Sequence, residues 1–182
     1  MRFADLTEIS WDGHDWTGTF VLRSWRGFQT RKGSYGSMRS KDPSDGTVSL
    51  VLRGAEQPTA REEKAVLWLM QNEGAVQKSM LEHLKQIYPA LREQYNYGEG
   101  DPDCYMPDVG DEHDFRGLIG LHSVFIHPLQ REGLPYLGFE FGCTWDNEHG
   151  LGFMMHGDRV VDCGGADTSF LLWIAKKDAE EA

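Results

Sequence analysis

The stretch of residues 138–163 constrains the fold of this chain more than any other. Phe139 and Phe141 alternate with Gly138 and Glu140, and alternation with a period of two is typical of a β-strand. Three segments of strand character follow one another here, separated by short glycine-containing turns: 136–144, 151–156 and 159–163. The sequence therefore predicts a meander of three antiparallel strands.

The remaining periodicities predict an α+β fold in which helices pack on antiparallel sheets. Further strand patterns occur at 2–10, 17–23, 47–53 and 118–127. The segment Thr59-Ala-Arg-Glu62 matches the capping box that begins many helices. We expect two central helices, at about 59–72 and 75–95, with Gly74 between them and a kink at Pro89. A short C-terminal helix is expected at about 168–177, packed on the sheet.

Length and composition bound the class of protein. A chain of 182 residues with 40% hydrophobic content can bury one sizeable core, so we expect a single α+β domain spanning 1–182. The chain has no run of about 18 apolar residues and its N-terminus is polar, which predicts a cytoplasmic protein without membrane contact. Nothing in the sequence decides the oligomeric state.

The three cysteines are expected to be reduced thiols. Cys104, Cys143 and Cys163 are odd in number, lie far apart and form no C-x-x-C motif, which argues against a disulfide framework. Whether Cys143 and Cys163 are neighbours in the meander is left open.

Negative charge is concentrated in the second half of the chain. The net charge is −11, and residues 98–182 carry 17 Asp and Glu against 5 Lys and Arg. Seven of these acids belong to a segment, 98–114, that is predicted to be an irregular loop: Glu99, Asp101, Asp103, Asp108, Asp111, Glu112 and Asp114. A second loop, 24–46, is basic.

This charge pattern disfavours nucleic acid as a partner, because an acidic surface repels phosphate backbones. It favours a protein partner with a basic surface, and the seven acids of the 98–114 loop are the expected contact residues. A solvated acidic loop, or a contact between the acidic and basic loops of the same chain, explains the charges equally well.

The turn Trp145-Asp-Asn-Glu-His-Gly150 brings candidate catalytic groups together in sequence. Asp146, Glu148 and His149, with Glu140 on the preceding strand, are groups suited to general acid–base chemistry. The competing interpretation is a structural turn, in which Asp146 bonds its own backbone and Gly150 supplies a positive φ.

No dedicated metal site and no cofactor are predicted. The histidines are not spaced as paired ligands, and the acidic loop fails the ligand pattern of a calcium-binding EF-hand.

The motif-rich C-terminal part resembles a known family. The run Gly138-Phe-Glu-Phe-Gly-Cys-Thr-Trp-Asp-Asn-Glu-His-Gly-Leu-Gly, followed by His156-Gly-Asp-Arg-Val-Val and Gly164-Gly-Ala-Asp167, is similar to a bacterial family of uncharacterised domains with a W-D-x-E-H-G signature. Arg26-Gly-Phe-Gln, Tyr35-Gly and Ser44-Asp-Gly46 extend the likeness. The resemblance implies an α+β fold in the bacterial cytoplasm and supplies no catalytic residues. Small acidic proteins of this type are often immunity partners of secreted toxins.

Three functions are therefore expected in order of preference. The first is an acidic cytoplasmic binding protein, in its specific form an immunity protein that neutralises a cationic bacterial toxin. The second is a small hydrolase-like enzyme that uses the His and carboxylate cluster near Trp145–Gly150. The third is a metal-stabilised structural domain.

Overall fold

The computed structural model describes residues 2–3, 7–30, 42–54, 56–95 and 105–181. Among these residues the strands are β1 (Arg2–Phe3), β2 (Thr7–Trp11), β3 (Trp16–Val21), β4 (Thr47–Leu52), β5 (Ile119–Arg131), β6 (Leu134–Cys143), β7 (Leu151–His156) and β8 (Arg159–Gly164). The α-helices are α1 (Ala60–Tyr95) and α2 (Leu172–Glu180), and 3-10 helices occur at Arg23–Trp25, Glu112–Gly117 and Ala166–Ser169. The α+β class is confirmed.

The strands follow one another in the sheet in sequence order, from β1 to β8. Because β1 has only two residues, the main sheet consists of β2 to β8. Every neighbouring pair is antiparallel except β4 and β5, which run parallel. A parallel connection needs a long crossover, and α1 provides it. The predicted meander is confirmed as β6, β7 and β8.

The prediction of two central helices is wrong, because α1 is one continuous helix of 36 residues and the sheet dominates the fold. Gly74 lies inside this helix, and nothing occupies the space within 4 Å of its missing side chain. A glycine inside a helix costs about 1 kcal/mol relative to alanine. The burial of Leu69, Val76 and Leu84 on both sides of Gly74 outweighs that cost. Pro89 also lies within the helix.

The predicted capping box at Thr59 is confirmed. The Thr59 backbone N–H donates to Glu62 Oε2 at 2.9 Å, and the Arg61 backbone N–H donates to Thr59 Oγ1 at 3.2 Å. Burial acts to raise the pKa of Glu62, but hydrogen bonds from Thr59 and Arg61 outweigh it and lower that pKa.

Thr59→Ala is expected to lower the free energy of unfolding by about 1 kcal/mol, because it removes the hydroxyl that accepts the Arg61 N–H. Urea denaturation measures the change. Thr59→Ser keeps a hydroxyl and is the control, with a loss well below that of the alanine variant. Equal losses in both variants would contradict a capping role.

Different helices pack on the two faces of the sheet. The large core cluster, which includes Phe139, Phe141 and Phe153, lies on the face that α1 covers. On the other face, Tyr136 and Met154 pack with α2. This C-terminal helix begins at Leu172, later than predicted, because residues 166–169 form a 3-10 helix first.

The carboxylate of Asp178 fixes α2 to the sheet. It accepts hydrogen bonds from Tyr136 Oη at 2.7 Å and from the guanidinium of Arg159 at 2.6 Å. In the described part of the chain, neither helix combines the length and the apolar character that a membrane span requires.

Candidate functional site

The Trp145 turn is built as the structural interpretation predicts. Asp146 Oδ1 accepts the backbone N–H of Glu148 at 3.1 Å and that of His149 at 2.7 Å, and Gly150 has a φ of 63°. Trp145 is buried against Tyr88 of α1, with ring centroids 5.8 Å apart. The turn is therefore rigidly attached to the fold.

The same turn also forms the wall of a cleft, which we call the acidic cleft. It has a volume of about 530 Å³ and is lined by Tyr95, Glu140, Asp146, His149, Gly165, Ala166, Asp167 and Phe170. The structure thus brings together three of the four predicted catalytic residues. The fourth, Glu148, is exposed at the tip of the turn and does not line the cleft.

Asp146 and His149 form a direct pair at the mouth of the acidic cleft. The imidazole Nδ1 lies 3.1 Å from Asp146 Oδ1, and the His149 side chain is 74% exposed. Tyr95 Oη donates to Asp146 Oδ2 at 2.7 Å. Burial acts to raise the pKa of Asp146, but hydrogen bonds from the His149 backbone, Tyr95 and the His149 ring outweigh it and lower that pKa. When an ionised Asp146 accepts a hydrogen bond from Nδ1–H, the proton of the neutral ring is on Nδ1 and Nε2 carries the lone pair.

Glu140 is the buried acid of the acidic cleft. It is only 4% exposed, and its Oε2 lies 3.4 Å from His122 Nδ1. A buried carboxylate interacts strongly with any cation that reaches it, because solvent and salt screen it less than a surface charge.

Two glycines let the backbone of the 3-10 helix Ala166–Ser169 lie directly on the sheet. A side-chain carbon added at Gly138 would lie 1.7 Å from the carbonyl oxygen of Ser169, and one added at Gly152 would lie 2.4 Å from that of Gly165. The Ser169 backbone therefore occupies the space that a side chain at position 138 would fill. A glycine in a strand often marks a close approach of another backbone segment. This contact places Ala166 and Asp167 in the cleft wall.

A second cavity, which we call the polar cavity, opens over β3, β4 and β5. Its volume is about 480 Å³, and it is lined by Glu8, Ser10, Thr17, Gly18, Thr19, Ser49, Val51, His122 and Ser123. His122 touches Glu140 of the acidic cleft, so the two cavities adjoin at this pair of side chains.

The described acids of the 98–114 loop have partners within the chain. Asp108 pairs with Arg92, and Glu112 lies 3.5 Å from Lys85 Nζ. Asp111 and Asp114 form a capping box at the start of the 3-10 helix Glu112–Gly117. Backbone hydrogen bonds from Asp111 and Gly110 lower the pKa of Asp114. The role of these acids in partner binding stays a prediction.

Glu99, Asp101 and Asp103 lie outside the described residues, as do residues 31–41 of the basic loop. The segment that carries these three acids is joined to the described part of the chain at Tyr95 and Tyr105. Tyr95 contacts Asp146, and the Tyr105 carbonyl accepts a hydrogen bond from Thr144 at 2.5 Å. Both ends of the segment are thus attached beside the Trp145 turn.

The described cysteines, Cys143 and Cys163, are free thiols. Cys143 is fully buried, and burial raises the pKa of Cys163 to about 12. Cys163 therefore does not have the depressed pKa of a reactive nucleophile. In the part of the chain that the structure describes, no group of three or more His, Cys, Asp or Glu side chains is placed to hold a metal ion.

Several cleft residues could not be identified from sequence. Tyr95 and Phe170 come from distant elements and carry no motif. Asp167 was noted only as the last residue of the family-like run Gly164-Gly-Ala-Asp167. His122 and Ser123 are adjacent, and adjacent residues point to opposite faces of a regular strand. Gly138 and Gly142, on either side of Glu140, are a local signal, because their missing side chains leave room for a close approach at that face.

Fold and site together define an α+β protein with an acidic cleft on one face of a mostly antiparallel sheet. The chain belongs to the family described as a domain of unknown function, DUF6985, whose model matches residues 17–171. The expectation of an uncharacterised domain family is therefore confirmed, while bacterial origin and an immunity role stay predictions. No curated protein and no solved structure matched the chain.

Proposed function

We propose that this protein binds a positively charged partner protein and that the acidic cleft receives a basic side chain of that partner. One observation carries the proposal: the described lining of the cleft includes three carboxylates, Glu140, Asp146 and Asp167, and no Lys or Arg. A cleft lined by one sign of charge attracts the opposite sign and speeds association.

Two further features support a basic side chain as the occupant. Tyr95 and Phe170 give the cleft aromatic walls, and aromatic faces attract the cationic groups of Lys and Arg. Glu140 supplies a buried carboxylate, which makes the strongest charge-assisted hydrogen bonds when a cation reaches it.

Binding of a hexa-arginine peptide, measured by isothermal titration calorimetry in 50 mM salt, tests the proposal. Asp167→Asn is expected to weaken binding about fivefold, the equivalent of about 1 kcal/mol. Glu140→Gln is expected to weaken it about tenfold or more, because Glu140 is buried. Raising the salt concentration should weaken binding of the native protein, since charges attract less when screened.

Asp158→Asn is the matched control. It removes the same charge from the exposed turn between β7 and β8, outside the acidic cleft, and should change the affinity less than twofold. A loss in Asp158→Asn equal to that in Asp167→Asn would show that only net charge matters. Failure of the native protein to bind the peptide at low salt would also overturn the proposal.

The more specific form of this proposal is immunity against a cationic bacterial toxin. It is supported by the concentration of acids in residues 98–182 and by the composition of the cleft. The neighbouring gene in the genome of origin tests it. A secreted protein with a basic C-terminal domain encoded next to this chain, and bound by it, is the expected result.

A hydrolase-like enzyme is the second candidate, and the Asp146–His149 pair is the observation that favours it. A carboxylate on Nδ1 leaves Nε2 positioned as a general base, as in many hydrolases. Asp146 also accepts hydrogen bonds from two backbone N–H groups of the turn. A purely structural role in the turn therefore explains the position of Asp146 as well as a catalytic role does. Hydrolysis of a p-nitrophenyl ester that His149→Gln abolishes would support this candidate.

A further inference from the structure

An irregularity in β5 brings a histidine and a serine to the same face of the sheet. The pairing of β5 with β6 shifts in register between Leu121 and Ser123, so His122 is the extra residue of a β-bulge. Ser123 lies directly opposite Glu140 in the pairing, and the His122 ring also reaches the Glu140 side chain. Bulges re-aim side chains in this way and are frequent beside active sites.

The three side chains form a connected group, and two of them, His122 and Ser123, line the polar cavity. Ser123 Oγ lies 2.6 Å from His122 Nδ1, and Glu140 Oε2 lies 3.4 Å from the same nitrogen. A hydroxyl within hydrogen-bond reach of an imidazole is the pairing of a nucleophile with its general base. The carboxylate lies beside the same ring nitrogen as the hydroxyl, and not on the opposite nitrogen as in a catalytic triad. We propose that Ser123 is a nucleophile that attacks small polar carboxylic esters, with His122 as its general base.

When Nδ1 accepts a hydrogen bond from the Ser123 hydroxyl, the neutral ring carries its own proton on Nε2. Glu140 Oε2 lies beside the same Nδ1 and accepts a hydrogen bond from it only after the ring is protonated. Transfer of the hydroxyl proton to Nδ1 makes the ring cationic. The carboxylate of Glu140 lies beside the nitrogen that receives the proton, so it stabilises the cation without touching the substrate.

The polar cavity determines the class of substrate. Its lining offers hydroxyl groups from Ser10, Thr17, Thr19 and Ser49. These groups donate and accept hydrogen bonds, so they favour a small hydrophilic ester over a fatty one. Ser123 itself is 4% exposed, but it borders this cavity and is reached through it.

The proposed reaction is the hydrolysis of a carboxylic ester, with water as the second reactant. Ser123 Oγ forms a bond to the carbonyl carbon while its proton moves to His122 Nδ1. The bond to the leaving alcohol then breaks, and His122 gives that proton to the alcohol oxygen. Water attacks the acyl-serine in the same manner, which releases the carboxylic acid and restores the hydroxyl of Ser123.

Ser123 and His122 line the polar cavity and not the acidic cleft, and Glu140 is the one residue that both proposed functions use. Loss of hexa-arginine binding in Asp167→Asn has no bearing on Ser123, because Asp167 does not line the polar cavity. A failure of one proposal therefore leaves the other standing.

Labelling with a small fluorophosphonate tests the nucleophile. In the expected reaction Ser123 Oγ forms a bond to phosphorus, the P–F bond breaks, fluoride leaves, and the proton moves to His122. Intact-mass measurement should show one adduct on each native chain, and tandem mass spectrometry should place it on Ser123. Ser123→Ala should carry no adduct, and His122→Asn should be labelled about a hundredfold more slowly.

Ser79→Ala is the control, because Ser79 lies on α1 away from both cavities and its replacement should leave the labelling rate unchanged. Glu140→Gln should slow labelling, whereas Glu140→Asp, which keeps the negative charge, should slow it less. The proposal is overturned if the native protein gains no adduct under conditions that fully label a serine hydrolase. It is also overturned if the adduct maps to another residue, or if His122→Asn reacts at the native rate.

Discussion

Gly138→Ala is expected to destabilise the protein by about 3 kcal/mol or more, the largest effect of any single substitution considered for this fold. The added carbon would lie 1.7 Å from the Ser169 carbonyl oxygen and 2.6 Å from its carbonyl carbon. Both are backbone atoms, so no side chain can rotate away to make room. The variant must separate the 3-10 helix Ala166–Ser169 from β6, and that movement also opens the wall of the acidic cleft.

Urea denaturation of the native protein and two glycine variants measures this effect. Gly74→Ala is the control, because its added carbon has open space around it in the middle of α1. That variant should be more stable than the native protein by about 0.5–1 kcal/mol. A Gly138→Ala protein as stable as the native one would show that the 3-10 helix is not packed directly on the sheet.

Acidification is expected to destabilise the fold through His127 by about 3 kcal/mol between pH 6.5 and pH 4. His127 is 2% exposed, its Nε2 lies 2.9 Å from the Ser169 carbonyl oxygen, and its Nδ1 has no hydrogen-bond partner. Burial lowers the pKa of His127 from 6.5 to about 4, and Arg53 adds to this effect. In this pH window the unfolded chain takes up a proton that the folded chain does not, so stability falls as the pH falls.

The free energy of unfolding at pH 7 and pH 4, compared between the native protein and His127→Gln, isolates this contribution. The glutamine amide can still donate to the Ser169 carbonyl but does not titrate, so the variant should lose about 3 kcal/mol less than the native protein over this range. His14→Gln, in the exposed β2–β3 turn, should follow the native curve. Identical acid dependence in the native protein and His127→Gln would exclude His127 as the cause.

Local patterns predicted the C-terminal meander and the start of α1 well. The meander followed from the alternation around Phe139 and Phe141, and the capping box at Thr59 followed from four residues, because both signals depend on neighbours in sequence. The prediction of a helix break at Gly74 was wrong because it used a local signal alone. A glycine weakens a helix locally, but the long apolar face of α1 gains more by packing on the sheet than the glycine costs.

The acidic cleft was predictable only in part. Asp146, Glu148 and His149 stood out because they share one turn, and the structure places two of them with Glu140 in the cleft wall. Tyr95 and Phe170 complete that wall from elements that are far away in the chain. The negative charge of residues 98–182 was visible in the composition, but the partners that Asp108 and Glu112 find in Arg92 and Lys85 were not.

The sequence by itself determined the strands, the turns and the start of α1, because side-chain alternation, turn chemistry and capping act over a few residues. Only the tertiary structure decided which side chains meet. The parallel pairing of β4 with β5, the bulge that turns His122 toward Glu140, and the contact of Gly138 with Ser169 join distant segments. Such contacts are selected by the packing of the whole sheet, which no local pattern encodes.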